Sequence, residues 1–225
     1  MSEVNLFEER KFDRRVHYDE RSRNFRTLAA VAAPRSYTWS CPVRLNQGNL
    51  GACVGFGWSE ELASRPKMHV AVSNTTGFDL YDLAQTLDHW DDTPPEEGTS
   101  VLAGAKAAQQ MGYLGEYRWC FSIDDLIRSV GNTGPVVMGT WWTSDMMSTD
   151  EKGFLEPTGS KVGGHCWLTN GVNIGMRYFK CVQSWGRSFG IDGAFYITFE
   201  AMEQLLLDEG EACVPTIRKW VSNLR

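Results

Sequence analysis

No stretch of the sequence approaches the roughly 18 to 20 consecutive apolar residues that a membrane-spanning helix needs, which excludes such a helix. An excess of positive charge is also missing. Lysine and arginine total 22 against 28 aspartates and glutamates, for a net charge of −6. This balance argues against binding to nucleic acid or to an anionic membrane surface. The first fifteen residues mix acids with bases and lack the apolar centre of a secretory signal.

Tightly spaced cysteine pairs are absent as well. None of the six cysteines forms a C-x-x-C pair, and a chain of 225 residues is long enough to build a core without disulfides. We therefore expect reduced thiols and a cytoplasmic location. No cluster of cysteines and histidines has metal-ligand spacing, and no glycine-rich loop precedes a Lys-Ser/Thr pair. The sequence thus predicts neither a metal nor any other cofactor.

The order of hydrophobic patterns predicts an α+β fold in a single domain spanning residues 1–225. Residues 1–40 are charged and are expected to form a surface arm. Helical spacing dominates residues 42–130, and apolar runs separated by glycine turns dominate residues 134–200. We predict a helical lobe and a β-lobe with a cleft between them, and we expect the N-terminal arm to cross between the two lobes. A C-terminal helix and tail follow over residues 200–225. The expected helices are 53–63, 78–89, 101–111, 123–130 and 200–208, and the expected strands are 135–142, 165–172, 177–184 and 194–199.

A glycine-containing loop in residues 46–56 carries the first candidate site residues. It places Gln47 six residues before Cys53, and a helical pattern begins at the cysteine. The positive end of a helix dipole favours a thiolate, which is the nucleophilic form of cysteine. The side-chain amide of Gln47 has N–H groups of the kind that stabilise an oxyanion. A lone cysteine, by itself, is more often a buried packing residue.

His165 is the histidine best suited to act with this cysteine. Gly163 and Gly164 precede it and leave space beside the ring, and an apolar strand pattern follows. Gln183 and Trp185 lie in a later glycine-rich loop. An amide oxygen that accepts a hydrogen bond from one ring nitrogen would fix the tautomer, and an indole would shield that bond from water. A buried histidine and a packed hairpin would produce the same pattern.

These three segments together resemble the papain-like cysteine peptidases. The family's Gln-Gly-x-x-Gly-[Ser/Ala]-Cys is similar to residues 47–53, with a difference of one residue in the glycine spacing. Its Gly-His strand resembles residues 164–165, and its Asn-Ser-Trp-Gly run is similar to residues 183–186. Residues 134–136 resemble the Gly-Pro-Val strand that opens the family's β-lobe. Short bacterial and phage members without a full pro-domain are the most similar subgroup.

The resemblance implies a papain-like two-lobe fold, with a helical N-terminal lobe and an antiparallel, β-barrel-like C-terminal lobe. It implies a peptidase that uses Cys53 as nucleophile, His165 as acid and base, Gln183 as the orienting amide and Gln47 as an oxyanion donor. We expect peptide or protein substrates, contacted by Gly163, Gly164 and Trp185 among other residues.

This sequence departs from the family pattern at several positions. Gln183 replaces the usual asparagine and is longer by one methylene, Val54 replaces an aromatic residue, and Leu50 replaces a disulfide cysteine. Two alternatives to a peptidase therefore remain. One is a papain-like protein that has a binding or structural role and does not catalyse a reaction. The other is a cysteine amidase or acyl transferase on the same fold. The Ser-Trp-Gly run favours papain-like over transglutaminase-like enzymes, which also use Cys and His in this order.

Overall fold

Serine caps start three of the helices that build the first half of the chain. Ser73 forms a capping box with Thr76 at the start of α2 (Asn74–Leu87). The Ser100 hydroxyl accepts a hydrogen bond from the third residue of α3 (Val101–Gln110), and Ser122 does the same for α4 (Ile123–Asn132). Each cap satisfies a backbone N–H that has no partner inside its helix. The computed structural model describes residues 10–69, 71–88 and 98–219.

The central helix, α1 (Cys53–Leu62), is buried over its whole length. Two glycines allow its neighbours to come close. A Cβ atom at Gly55 would lie 2.1 Å from the carbonyl oxygen of Gly77 in α2, and one at Gly57 would lie 2.8 Å from the sulfur of Cys166. Such distances exclude a larger residue, so α1 is held between the helical layer and the sheet.

The second half of the chain forms most of a seven-stranded antiparallel sheet. Its strand order is β4-β9-β5-β6-β7-β8, and β2 pairs with β6 off this path. These strands are β2 (Tyr37–Thr38), β4 (Leu114–Trp119), β5 (Val136–Thr143), β6 (Lys161–Asn173), β7 (Tyr178–Val182), β8 (Ala194–Thr198) and β9 (Glu211–Arg218). A last helix, α5 (Phe199–Leu207), connects β8 to β9. The short strands β1 (Arg14–Arg15) and β3 (Thr99–Ser100) pair in parallel.

Two clusters of buried side chains correspond to two lobes. The first contains Cys53, Trp58 and Leu80 with the other buried residues of α1, α2 and α3. The second contains Trp142, Trp167 and the apolar residues of the barrel-like part of the sheet. The apolar face of α4 belongs to this second cluster, although the sequence pattern placed α4 in the helical half.

The β9 strand is the main difference from the sequence-based prediction of a C-terminal tail. It lies between β4 and β5, and residues 114–119 therefore belong to the same sheet as the β-lobe. The predicted helix over residues 78–89 begins four residues earlier and ends at Leu87, and the loop predicted over residues 91–100 lies mostly outside the described residues. The described helices include none that is long and apolar enough to cross a membrane.

Candidate active site

Cys53 is the first residue of α1 and is completely buried. Burial raises the pKa of its thiol to about 11. Backbone hydrogen bonds from Asp13 and from Cys166, the residue after His165, act in the opposite direction. We expected the helix dipole to favour a thiolate here. In this conformation desolvation outweighs it, and the thiol keeps its proton at neutral pH.

His165 lies in β6 and is held on three sides. Its Nε2 atom is 2.8 Å from Oε1 of Gln183. The Trp185 ring stacks on the imidazole with centroids 4.8 Å apart, and the edge of Trp142 packs at 4.9 Å. The other ring nitrogen, Nδ1, is buried and has no hydrogen-bond partner among the described residues. Gln183 thus leaves Nδ1 as the ring nitrogen available for proton transfer.

Gln47 is fixed by the loop that contains Trp185. Its backbone N–H donates to the carbonyl of Ser184 at 2.9 Å, and its side-chain oxygen accepts from the Ser184 hydroxyl at 2.5 Å. These bonds determine which end of the amide faces the cleft. The Nε2 group donates to the carbonyl of Leu50 at 2.7 Å and approaches the carbonyl of Lys11 at 3.4 Å. The backbone carbonyl of Lys11 therefore lies near the side-chain N–H group of Gln47 that was predicted to stabilise an oxyanion.

That carbonyl belongs to the cleft segment, by which we mean residues 10–15. The Phe12 ring packs edge-on against His165 at 5.7 Å and against Trp185 at 5.6 Å. Asp13 forms a parallel β-bridge with Gly164. The cleft segment therefore covers His165 and Trp185, two of the predicted site residues.

The glycines predicted to contact substrate make room for this backbone. A Cβ atom at Gly163 would lie 2.3 Å from Cβ of Phe12, and one at Gly164 would lie 2.1 Å from the carbonyl oxygen of Arg14. Trp185 also contacts the segment, since the Arg10 guanidinium lies 4.2 Å above its ring. All three predicted substrate-contact residues thus touch residues 10–15.

Burial under the segment determines the charge state of the histidine. The pKa of His165 is lowered to about 3, mainly by desolvation, although the Gln183 hydrogen bond raises it. The positive charge of Arg10 lowers it further. The imidazole is therefore neutral at pH 7 in this conformation. Because the Cys53 thiol is protonated and the His165 imidazole is neutral, the site contains no thiolate–imidazolium pair in this conformation.

The structure resembles solved cysteine proteases over most of its length. Xylellain, a cysteine protease from Xylella fastidiosa, superposes with a TM-score of 0.71 over 94% of this chain and 98% of that one, at 16% identity. Digestive procathepsin L 3 from Tenebrio molitor gives 0.61 over 86% and 74%, at 15% identity. The ragweed pollen protease Amb a 11, in its proform, gives 0.56 over 85% and 69%, at 14% identity. The fold is therefore papain-like. At the level of sequence, no family model and no curated protein matches the chain.

Several contacts of the site were not predicted from the sequence. Ser184 orients Gln47, Trp142 packs on His165, and Phe12 covers both His165 and Trp185. The contact of Ser184 with Gln47 joins two segments that are 137 residues apart. Trp142 lies on β5 beside β6, so its contact with His165 depends on how these two strands pair. Phe12 is an isolated aromatic among charges, and no local pattern indicates that it is placed on a histidine 153 residues away, from position 12 to position 165.

Proposed function

We propose that the protein is a papain-like cysteine peptidase that hydrolyses peptide bonds. The observation that supports this best is the arrangement around His165. The Oε1 atom of Gln183 accepts a hydrogen bond from Nε2 of His165, and the Cys53 sulfur accepts one from the backbone N–H of Cys166, the residue after His165. Gln47 faces a peptide carbonyl in the same cleft. A peptide or protein is the substrate class that this cleft accepts, since a peptide segment already lies in it.

The chemistry follows from these positions. The Cys53 sulfur attacks the peptide carbonyl carbon, and its proton passes to Nδ1 of His165. The side-chain N–H of Gln47 and the backbone N–H of Cys53 stabilise the oxyanion. His165 then gives the proton to the leaving amine, which leaves a thioester on Cys53. Water, deprotonated by the same histidine, hydrolyses the thioester and regenerates the thiol.

We further propose that this conformation is latent. The sulfur contacts the N–H of Asp13, whereas Gln47 faces the carbonyl of Lys11, two residues earlier. Cleavage requires both groups to act on one carbonyl, so the segment is held as an inhibitor rather than as a substrate in register. Six free, buried cysteines favour a reducing compartment, as in the cytoplasm of a bacterium or of a phage-infected cell.

The test uses the full chain with a weakened segment. We define the loosened-arm variant as Phe12→Ala with Arg14→Ala, which removes the ring contacts with His165 and Trp185 and the ion pair with Glu211. We expect it to hydrolyse fluorogenic peptides and to be labelled by a thiol-directed peptide probe faster than the parent. Adding Cys53→Ala should abolish both signals, and adding Cys181→Ala, a buried cysteine of the β-lobe core, should preserve them.

A protein that retains its fold but shows neither hydrolysis nor labelling after loosening would overturn the peptidase proposal in favour of a binding module. Hydrolysis of amides or acyl transfer without peptide cleavage would favour the amidase or transferase alternative. Circular dichroism of each variant checks the fold. Phe25→Ala is the matched control for the segment, because Phe25 lies in the same arm but is 50% exposed.

A further inference from the structure

We propose that Cys53 and Cys166 form a disulfide bond when the uncovered site meets a peroxide, and that this bond protects the nucleophile from irreversible oxidation. The proposal assigns a reversible modification to the site, and a role to a cysteine whose side chain takes no part in peptide hydrolysis. It rests on the proposed function in one respect, because it requires a Cys53 thiol that becomes reactive when the cleft segment moves away.

The two cysteines meet where α1 packs on β6. The Cys53 sulfur accepts a hydrogen bond from the backbone N–H of Cys166, and the Cys166 sulfur belongs to the same residue as that N–H group. Burial raises the pKa of Cys166 well above its ordinary value, and the nearby charge of Cys53 raises it further. Both residues are completely buried. The two thiols therefore share one enclosed region of the interior.

Gly57 leaves the space in which the two sulfurs can meet. It lies one turn after Cys53 in α1, and a Cβ atom there would lie 2.8 Å from the Cys166 sulfur. Positions four residues apart on a helix share one face, with Cβ atoms about 5–6 Å apart. The Cys166 sulfur thus lies beside the helix face that carries Cys53. A disulfide needs Cβ atoms about 3.5–4.5 Å apart, and the missing side chain at Gly57 allows β6 to approach α1 this closely.

Disulfide formation leaves the catalytic histidine in place. His165 and Cys166 are successive residues of β6, and successive side chains of a strand point to opposite faces. His165 contacts Gln183 and Trp185, whereas Cys166 contacts α1. A bond from Cys53 to Cys166 therefore changes the chemistry of the nucleophile and keeps the hydrogen bond between His165 and Gln183.

The surroundings of the two thiols determine which of them meets the peroxide first. Cys166 lies beneath the strand and stays protonated, because burial and the charges of neighbours such as Glu60 raise its pKa. Cys53 gains a thiolate once the cleft segment leaves, since water then reaches the sulfur and His165 takes its proton. Cys53 is therefore the thiol that reacts with peroxide, and Cys166 is the thiol that reacts second.

The reaction balances with one molecule of hydrogen peroxide. The Cys53 thiolate attacks one peroxide oxygen, breaks the O–O bond and becomes a sulfenic acid, and the released hydroxide takes the proton from His165 and leaves as water. The Cys166 sulfur then attacks the Cys53 sulfur and displaces the hydroxyl group, which leaves with the Cys166 proton as a second water. The two thiols lose two electrons, and the peroxide is reduced by them. A small thiol reverses the bond by exchange.

Mass spectrometry of the loosened-arm variant tests the proposal. Trypsin releases Cys53 in residues 45–67 and Cys166 in residues 162–177, each without a second cysteine. After treatment with hydrogen peroxide we expect these two peptides to be joined, with the loss of two hydrogens. Dithiothreitol should then restore at least about half of the iodoacetamide labelling of Cys53.

Two further substitutions in the same background show whether Cys166 is the partner. Cys166→Ser should lead to sulfinic and sulfonic acids at Cys53, and dithiothreitol should restore less than about a tenth of its labelling. Cys181→Ala is the matched control, because it removes a buried cysteine of the β-lobe core, and it should preserve the joined peptides. Circular dichroism checks the fold of each variant.

The mass readout separates failure of this inference from failure of the proposed function. Joined peptides in a variant that hydrolyses no substrate support the disulfide and count only against the peptidase. Absence of the joined pair in the folded loosened-arm variant overturns the proposal, whether Cys53 stays unmodified, is oxidised alone or pairs with another cysteine. If Cys166→Ser does not fold, the joined pair in the loosened-arm variant still decides the outcome.

Discussion

The Nε2 atom of His165 and the Oε1 atom of Gln183 are 2.8 Å apart, although they come from β6 and from the loop after β7. Both side chains are completely buried. The added methylene of glutamine is therefore accommodated without loss of the contact. Trp185, two residues later, covers the ring at stacking distance.

Removing the amide should lower turnover without unfolding the protein. In the loosened-arm variant, Gln183→Ala is expected to reduce kcat by about one to two powers of ten, or about 1.4–2.7 kcal/mol. Gln183→Asn shortens the side chain, so a backbone adapted to glutamine predicts a smaller but clear loss. Steady-state kinetics on one peptide gives both values, and thermal melts verify the fold. If both variants keep the parent rate, the amide has no orienting role.

Thiol reactivity should depend on the cleft segment. Because burial raises the pKa of Cys53 to about 11, the parent should react slowly with iodoacetamide at pH 7. Phe12→Ala should increase the rate at Cys53 by at least about tenfold, since it uncovers the sulfur and lets His165 take up a proton. Mass spectrometry of the labelled peptides gives the rate for each cysteine. Phe25→Ala should leave the rate at its parent value, and equal labelling of all six cysteines would contradict the prediction.

Limited proteolysis reports the position of the segment directly. Arg14 is 3% exposed, while Arg21 has a side chain 82% exposed. Trypsin should therefore cut the parent after Arg21 before it cuts within residues 10–15. In Phe12→Ala the order should reverse or the two rates should become similar. Peptide mapping over time distinguishes these outcomes, and unchanged protection of residues 10–15 would show that Phe12 does not hold the segment.

The buried carboxyl of Glu60 should make stability depend on pH. Glu60 lies in α1 with no exposed surface, and neither of its carboxyl oxygens has a hydrogen-bond partner among the described residues. Desolvation raises its pKa from 4.5 to about 8, and Arg44 lowers it slightly. Between these values the folded state holds a proton that the unfolded state has lost, so the free energy of unfolding falls as pH rises. The slope from this group is about 1.4 kcal/mol per pH unit, and it flattens above pH 8.

Glu60→Gln removes the ionisable group and should make the stability curve less steep between pH 5 and 8, by about 1.4 kcal/mol per pH unit, as measured by denaturant unfolding. The neighbouring Glu61→Gln is the matched control, because Glu61 forms a buried ion pair with Arg218 at 2.7 Å. Glu61→Gln should lower stability across the range by leaving Arg218 with a buried charge. A Glu60→Gln curve with the parent's slope would place the pH dependence elsewhere.

The features that could be predicted from the sequence are those that depend on residues close together in the chain. Cys53 was identified because a glycine-containing loop meets a helical pattern there, and helical spacing placed the starts of α3 and α4 at residues 101 and 123. β9 was not predicted, because residues 211–218 include Pro215 and find their partners only in β4 and β5, far away in the chain. The extent of the cleft segment's docking was not predicted for the same reason. Arg14 looks like an exposed charge until Glu211, 197 residues later, is placed beside it.

The protonation state of the Cys53 thiol also could not be predicted from the neighbouring residues in the sequence. A helix N-terminus favours a thiolate, and this was the sequence-based expectation for Cys53. The opposing effect on the pKa is desolvation by burial, which depends on tertiary contact. Similarly, Glu60 and Glu61 read as a solvated turn of helix, but α1 has neighbours on every side and both carboxyls are buried.

The cleft segment is covalently part of the protein that it covers, and this determines how it competes. Its local concentration at Cys53 is set by the length and stiffness of the chain that connects them, residues 16–52. Dilution does not reduce that value, so a free peptide that binds weakly will not displace the segment at any protein concentration. The onset of turnover therefore measures an intramolecular equilibrium. Cutting or detaching the arm changes that equilibrium permanently, whereas a competing ligand changes it only while bound.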